Sequence, residues 1–193
     1  MYAYISGQLV EKNPAYVVVD ANGIGYHLHI SVNTYAAIQS LDHAKLFTYM
    51  AVRDDAHLLY GFYEEEERDL FLHLISVSGV GTGTARIILS SLSTAEAIEV
   101  ITSGNATALQ RVKGIGAKTA QRIVVDLHDK LSKTPVIGQK AVGTYNKNKE
   151  EALSALLILG FNKVAIEKIL NRLLEKDAAM PVDKLIREAL KLL

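Results

Sequence analysis

The chain of 193 residues is 49% apolar and 22% charged, and its 21 basic residues balance 21 acidic ones. That composition excludes a disordered tail protein, and the zero balance argues against a surface that is basic throughout, as neutralising phosphates takes Lys and Arg. Cysteine is absent, which excludes disulfides, thiolate nucleophiles and Cys-ligated zinc together and accords with a reducing, cytoplasmic setting.

The start, Met1 to Gly7, has no basic region followed by an apolar one, so it does not read as a secretory signal. The longest apolar stretch, Ala155 to Phe161, contains Gly160 and is far short of the roughly 20 residues that span a bilayer. Residues 1–63 read as strands. Tyr16 to Val19 is aromatic and β-branched, Asn22-Gly23 suits a tight hairpin, and Tyr26, Leu28 and Ile30 alternate with His27, His29 and Ser31. Leu46 to Arg53 and His57 to Phe62 form a second pair around Asp54-Asp55-Ala56. Several short strands in this length point to a five-stranded OB-like barrel.

At Glu64 the pattern changes. Glu64 to Glu67 place acid in the first turn of a helix, where the helix dipole favours it. From there to residue 135 short helices alternate with glycines. Residues 136–149 hold lysines but no acid and read as a flexible linker. Residues 150–193 read as a three-helix bundle, with Gly160-Phe161-Asn162 as a helix stop and Pro181 before the third helix. The expected fold is therefore α+β and multidomain: barrel 1–63, all-α region 64–135, linker 136–149 and bundle 150–193.

Within the all-α region the chain repeats itself. Leu74 to Ala85 aligns with Leu109 to Ala120 at a constant offset, and both copies read Val-x-Gly-[Val/Ile]-Gly-x-x-Thr-Ala. An apolar helix running into Gly-x-Gly and then into a second helix presents unpaired N–H groups at that helix start, a ready phosphate site. Backbone N–H groups read no base, so such binding is independent of sequence. A dinucleotide fingerprint would follow a strand and carry a third glycine, and neither holds here. A P-loop would need glycines where Val112 and Ala117 stand.

These two copies resemble helix-hairpin-helix DNA-binding motifs. Their setting, together with Ile5-Ser6-Gly7, the stretch Val52 to Phe62 and the terminal Leu185 to Leu190, resembles the RuvA family of bacterial Holliday junction branch migration proteins over essentially the whole chain. The resemblance implies a role in homologous recombination, DNA repair and the SOS response to DNA damage. It implies a homotetramer that binds the four-way junction on one face, and two tetramers that enclose it as an octamer. It also implies the hexameric ATPase RuvB and the resolvase RuvC as partners, with RuvB engaged by residues 150–193. No catalytic centre, cofactor or metal is implied in this chain; the ATP chemistry belongs to the motor.

Carried over by residue, Gly79, Val80 and Gly81 present the first hairpin and Gly114, Ile115 and Gly116 the second. Lys113, Lys118 and Arg122 flank the second and add charge. Thr84 and Thr119 lie near helix starts, where a hydroxyl either caps the helix or touches phosphate. Family members often carry lysines where this sequence has Gly83 and Ala117, so individual contacts are expected to be weaker and offset by multiplicity. Asp54 and Asp55 match the family's acidic pin, which repels phosphates at the junction centre; from spacing alone they read as an ordinary turn.

His27 and His29 share a strand face and read as a solvated polar face, since no third metal ligand is evident. For Glu64 to Glu67 helix-start electrostatics suffice, with a neighbouring subunit's basic residues as a second reading. The terminal module carries more apolar residues than three short helices hide, which points to a protein partner. Two other function classes stay open. A helix-hairpin-helix glycosylase or nuclease would need a base pocket for which there is little room, and a single-strand binder would need aromatic platforms on the barrel. Charge by segment explains the zero balance: residues 64–69 carry five acids and one base, whereas residues 70–135 carry seven bases and four acids.

Overall fold

The computed structural model describes residues 2–132, 144–177 and 180–193. The chain forms two compact units, residues 1–135 and residues 136–193. Among the described residues no helix is long and apolar enough to cross a membrane.

The first unit begins with strands β1 (Tyr4–Asn13), β2 (Tyr16–Ala21), β3 (Ile24–His29), β4 (His43–Val52) and β5 (His57–Phe62), closed into a barrel in the order β1-β2-β3-β5-β4. All neighbouring pairs are antiparallel except β3 with β5. The β2–β3 turn has Asn22 at φ 55° and Gly23 at φ 86°, the paired positive φ values of a two-residue hairpin. The Asp20 carboxylate closes it by accepting the Gly23 N–H at 2.7 Å. Two devices curve the sheet. A register shift between Leu9 and Glu11 bends β1, and at Gly7 any Cβ would lie 2.0 Å from the Asp20 carbonyl oxygen. The alternating residues Val17, Val19 and Leu28 meet Ile5, Leu9, Ile30, Ile38 and Leu46 in the barrel core.

The strand-only reading of residues 1–63 is corrected by one helix, α1 (Val32–Ile38). Ser31 is not the last exposed residue of an alternating strand. It is buried and caps α1, its hydroxyl accepting the Thr34 N–H at 3.0 Å. Seven residues give too short a periodicity to separate from neighbouring strands.

Five helices follow: α2 (Glu65–Ile75), α3 (Thr82–Ser91), α4 (Thr94–Thr102), α5 (Ala106–Gln110) and α6 (Ala117–Ser132). They share a core with Ala51 of β4 and Tyr60 and Phe62 of β5. Tyr60 and Phe62 of β5 pack on Phe71 of α2, with ring centroids 5.3 and 4.9 Å apart. A polar joint adds to this. The Glu67 carboxylate of α2 is buried and accepts hydrogen bonds from the hydroxyls of Ser31 and of Thr34, the latter at 2.6 Å. The Thr34 hydroxyl oxygen in turn accepts the Tyr63 N–H at 3.1 Å. Glu67 is thus no solvated helix-start charge: it ties α1 to α2, and burial raises its pKa above the ordinary carboxylate value.

The second unit comprises α7 (Thr144–Ile158), α8 (Lys163–Lys176) and α9 (Val182–Leu190) around Ala152, Leu156, Ile166, Leu170, Leu185 and Ala189. Gly160, at φ 92°, terminates α7, and Asn162 caps α8 by accepting the Val164 N–H at 2.9 Å. The expected linker of 136–149 lies outside the described residues as far as 143. From Thr144 the chain is already helical, because the lysines and asparagines there tolerate a helix whose apolar face starts only at Ala152. Around the α7–α8 turn, Ile158 is 85% and Val164 74% exposed.

Candidate nucleic-acid interface

The sequence repeat is repeated as geometry. Val80 N–H donates to the Val77 carbonyl at 3.0 Å, and Ile115 N–H to the Val112 carbonyl at 3.1 Å. Gly79 and Gly114 take φ of 89° and 87°, which a side chain would strain. Val80 and Ile115 are buried and pin the two hairpins to the core. Ala85 N–H donates to the Gly81 carbonyl and Ala120 N–H to the Gly116 carbonyl, both at 2.9 Å, so Gly81 and Gly116 stand at matching helix starts. Helix-start N–H groups beyond these bonds have no intrahelical partner.

Gly81, Gly83 and Gly116 have no internal need to be glycine. Their φ is not positive, and an added Cβ would meet nothing within 4 Å. The space a side chain would occupy at each is open.

The remaining expected residues sort clearly. Lys113 and Lys118 are exposed beside the second hairpin. Arg122 is exposed too, and it reaches back to the first hairpin, donating from Nη1 to the Ser78 carbonyl at 3.2 Å. The two hairpins are therefore neighbours, tied by a residue expected only as a charge. Thr84 and Thr119 are half-buried at the third position of α3 and α6. The capping option fails for Thr84, since Gly81 is the cap of α3 and no side chain bonds there.

Asp54 and Asp55 are exposed at the β4–β5 turn, which closes through Arg53 N–H donating to the Ala56 carbonyl at 2.9 Å. Sequence reasoning missed how this turn is anchored. Arg53 donates from Nη2 to Thr82 Oγ1 at 3.3 Å, and the Tyr60 hydroxyl donates to the same oxygen at 2.9 Å. The acidic turn and the first hairpin are joined at the first residue of α3. No sequence signal pairs residues so far apart.

The histidine pair is corrected. His27 stacks on Tyr16 with centroids 4.6 Å apart, but His29 is half-buried beside Tyr60 rather than solvated. Desolvation first, then Arg86 and His27, hold the His29 pKa below the ordinary histidine value. Among the described residues, no three His, Asp or Glu side chains gather as metal ligands would.

An OB-like barrel carrying two equivalent glycine hairpins with open helix starts defines a class, the tandem helix-hairpin-helix DNA-binding proteins. Comparison with known proteins makes the assignment particular. Residues 1–61 match the RuvA N terminal domain, residues 71–130 the SAM-like Helix-hairpin-helix tandem and residues 147–193 the RuvA, C-terminal domain. The chain is 48% identical over 191 residues to the Holliday junction branch migration complex subunit RuvA of Christiangramia forsetii, and 45% identical over 191 residues to that of Flavobacterium psychrophilum, in each case covering 99% of both chains. It is 48% identical over 200 residues to the same subunit of Bacteroides fragilis, again with 99% of both chains covered. The chain belongs to the RuvA family.

Proposed function

We propose that this chain is the junction-binding subunit of a branch migration complex, itself without catalytic chemistry. The two hairpins, Gly79 to Gly81 and Gly114 to Gly116, hold duplex backbone through helix-start N–H groups, with Thr84, Lys113, Lys118, Thr119 and Arg122 around them. The observation that carries this reading is the repetition of one hairpin geometry at two adjacent places, each with open glycines that nothing inside the protein requires. Backbone contacts make the grip independent of base sequence.

Asp54 and Asp55 act by repulsion. Four copies arranged around a junction bring their paired carboxylates to its centre, where they disfavour continuous duplex and guide separated strands. The chain works as a homotetramer, with an octamer enclosing the DNA, in the cytoplasm. The barrel is residues 1–63 and the DNA-binding domain 64–135; of the linker expected at 136–149, the part from Thr144 onward belongs to α7. Residues 150–193 engage the ATPase RuvB, and RuvC is the resolvase partner. The exposed apolar side chains at the α7–α8 turn support a protein-binding role for that module.

The test compares binding to a four-way junction, a linear duplex and a single strand of matched length, with the mass of the free and bound protein. The reading expects a preference of about 1,000-fold or more for the junction over the duplex, the span that separates specific from non-specific binding, and the mass of four chains. Equal affinity for all three DNAs would contradict it.

A further inference from the structure

The hairpins share a backbone but not their side chains. At the repeat offset, Lys113, Lys118 and Arg122 of the second correspond to Ser78, Gly83 and Ile87 of the first. At those three positions the first hairpin brings no cation; Arg86 of α3 turns to the Ala15 carbonyl at 3.0 Å and Arg122 crosses from the second hairpin to the Ser78 carbonyl at 3.2 Å, although the open glycines present the same backbone face.

The fold delivers a cation from elsewhere. Arg53 is exposed, and its Nη2 donates to Thr82 Oγ1, on the first residue of α3, at 3.3 Å. The Tyr60 hydroxyl donates to the same oxygen at 2.9 Å. Tyr60 is buried and packed against Phe71 and His29, so its hydroxyl oxygen is held beside Thr82 Oγ1. A threonine hydroxyl accepts two hydrogen bonds and donates one. Taking both bonds as acceptor leaves the Thr82 hydroxyl one proton to donate elsewhere. Thr82 is also the first residue of α3, whose first-turn N–H groups have no intrahelical partner. Arg53 keeps most of its donors, because among the described residues no carboxylate pairs with it, Asp54 and Asp55 included. The second hairpin has Ala117 at the Thr82 position and its own Lys118 beside it.

We infer that Arg53 is the phosphate-binding cation of the first hairpin, supplied by the barrel and seated on Thr82, whose own hydroxyl donates to the same phosphate. The inference rests on the proposed DNA-binding role of the hairpins. The planar fork of arginine suits a phosphate oxygen pair better than a lysine would. It also gives the β4–β5 turn two opposite signs in adjacent residues. Arg53 at its root attracts a backbone phosphate, and Asp54 and Asp55 at its tip repel the next.

The experiment measures junction affinity of the full chain across a series of salt concentrations for the parent, Arg53→Gln, Arg53→Lys and Thr82→Val, with Lys118→Gln as comparator. Arg53→Gln should weaken binding about tenfold and lower the slope of log K against log salt by about 0.9 for each phosphate it no longer neutralises. Arg53→Lys should restore the slope but not the full affinity. Thr82→Val should cost less in the Arg53→Gln background than alone. Parental affinity and slope for Arg53→Gln, with both reduced for Lys118→Gln, would overturn this inference alone. So would an Arg53→Lys slope as low as that of Arg53→Gln. If neither Arg53→Gln nor Lys118→Gln changes the slope, the phosphate grip of the hairpins falls with it. Arg53 and Lys118 are both exposed, so melting temperatures should stay at the parental value in these variants.

Discussion

At the scale of single residues, Glu67 is the group whose environment departs furthest from its sequence. Burial raises its pKa from the ordinary carboxylate value of 4.5, the Ser31 and Thr34 hydroxyls pull it down, and the Glu64 charge pushes it up. Between the ordinary and the raised value the folded state binds more protons than the unfolded chain. Stability contributed by this group is therefore lost as pH rises through that window, the reverse of a salt-bridged carboxylate. Glu67→Gln removes the titration. The stability of the Gln variant relative to the parent should rise as pH increases from 4.5 and then level off, as followed by urea unfolding. A difference that is constant or shrinks with pH would contradict the assignment. Glu67→Ala leaves two buried hydroxyls without their acceptor and should cost about 2 kcal/mol or more at every pH.

At the scale of elements, the two hairpins stand on positive-φ glycines and buried apolar pins. Gly114→Ala forces a Cβ into left-handed backbone with no steric clash to blame, since nothing lies within 4 Å. It should lower stability by about 1 kcal/mol and loosen the second hairpin. Hydrogen exchange should speed up at Ile115 N–H while the barrel amides are unaffected. These hairpins were legible in sequence because repetition turned weak glycine signals into a strong one. Helix α1 was not, because seven residues beside strands give no distinct period. Nor was the burial of Glu67: a run of glutamates at a helix start looks solvated until a distant serine and threonine are brought against it. The Asp54-Asp55 turn was legible as a turn, and its proposed role as a pin came only from the family resemblance. Its anchorage was not legible, because Arg53, Tyr60 and Thr82 meet only through the packing of β5 on α2 and α3.

At the scale of the whole molecule, a net charge of zero conceals separated signs. Acid concentrates in the β4–β5 turn and the start of α2, and exposed base flanks the second hairpin. On the proposed reading such a chain attracts DNA at one place and repels it at another, so its charge total says little about its partners. The two compact units allow a division of labour to be tested. Removing residues 150–193 should leave junction affinity within about twofold of the parent, because no proposed phosphate contact lies there. It should abolish ATP-driven branch migration with RuvB. Loss of junction binding in the truncated chain would show that the division is wrong.

The central claim is that Gly81 and Gly116 are open because DNA backbone comes against them. Aspartate is among the best residues at a helix start, so Gly81→Asp with Gly116→Asp should hold or raise stability. The same carboxylates stand where phosphates are proposed to bind, and like charges in contact repel. The decisive measurement is junction affinity of this double variant of the full chain, taken with its melting temperature. The double variant should show an unchanged or higher melting temperature and a loss of junction affinity of about 100-fold or more, roughly 2.7 kcal/mol. Parental affinity in the stable double variant would contradict it.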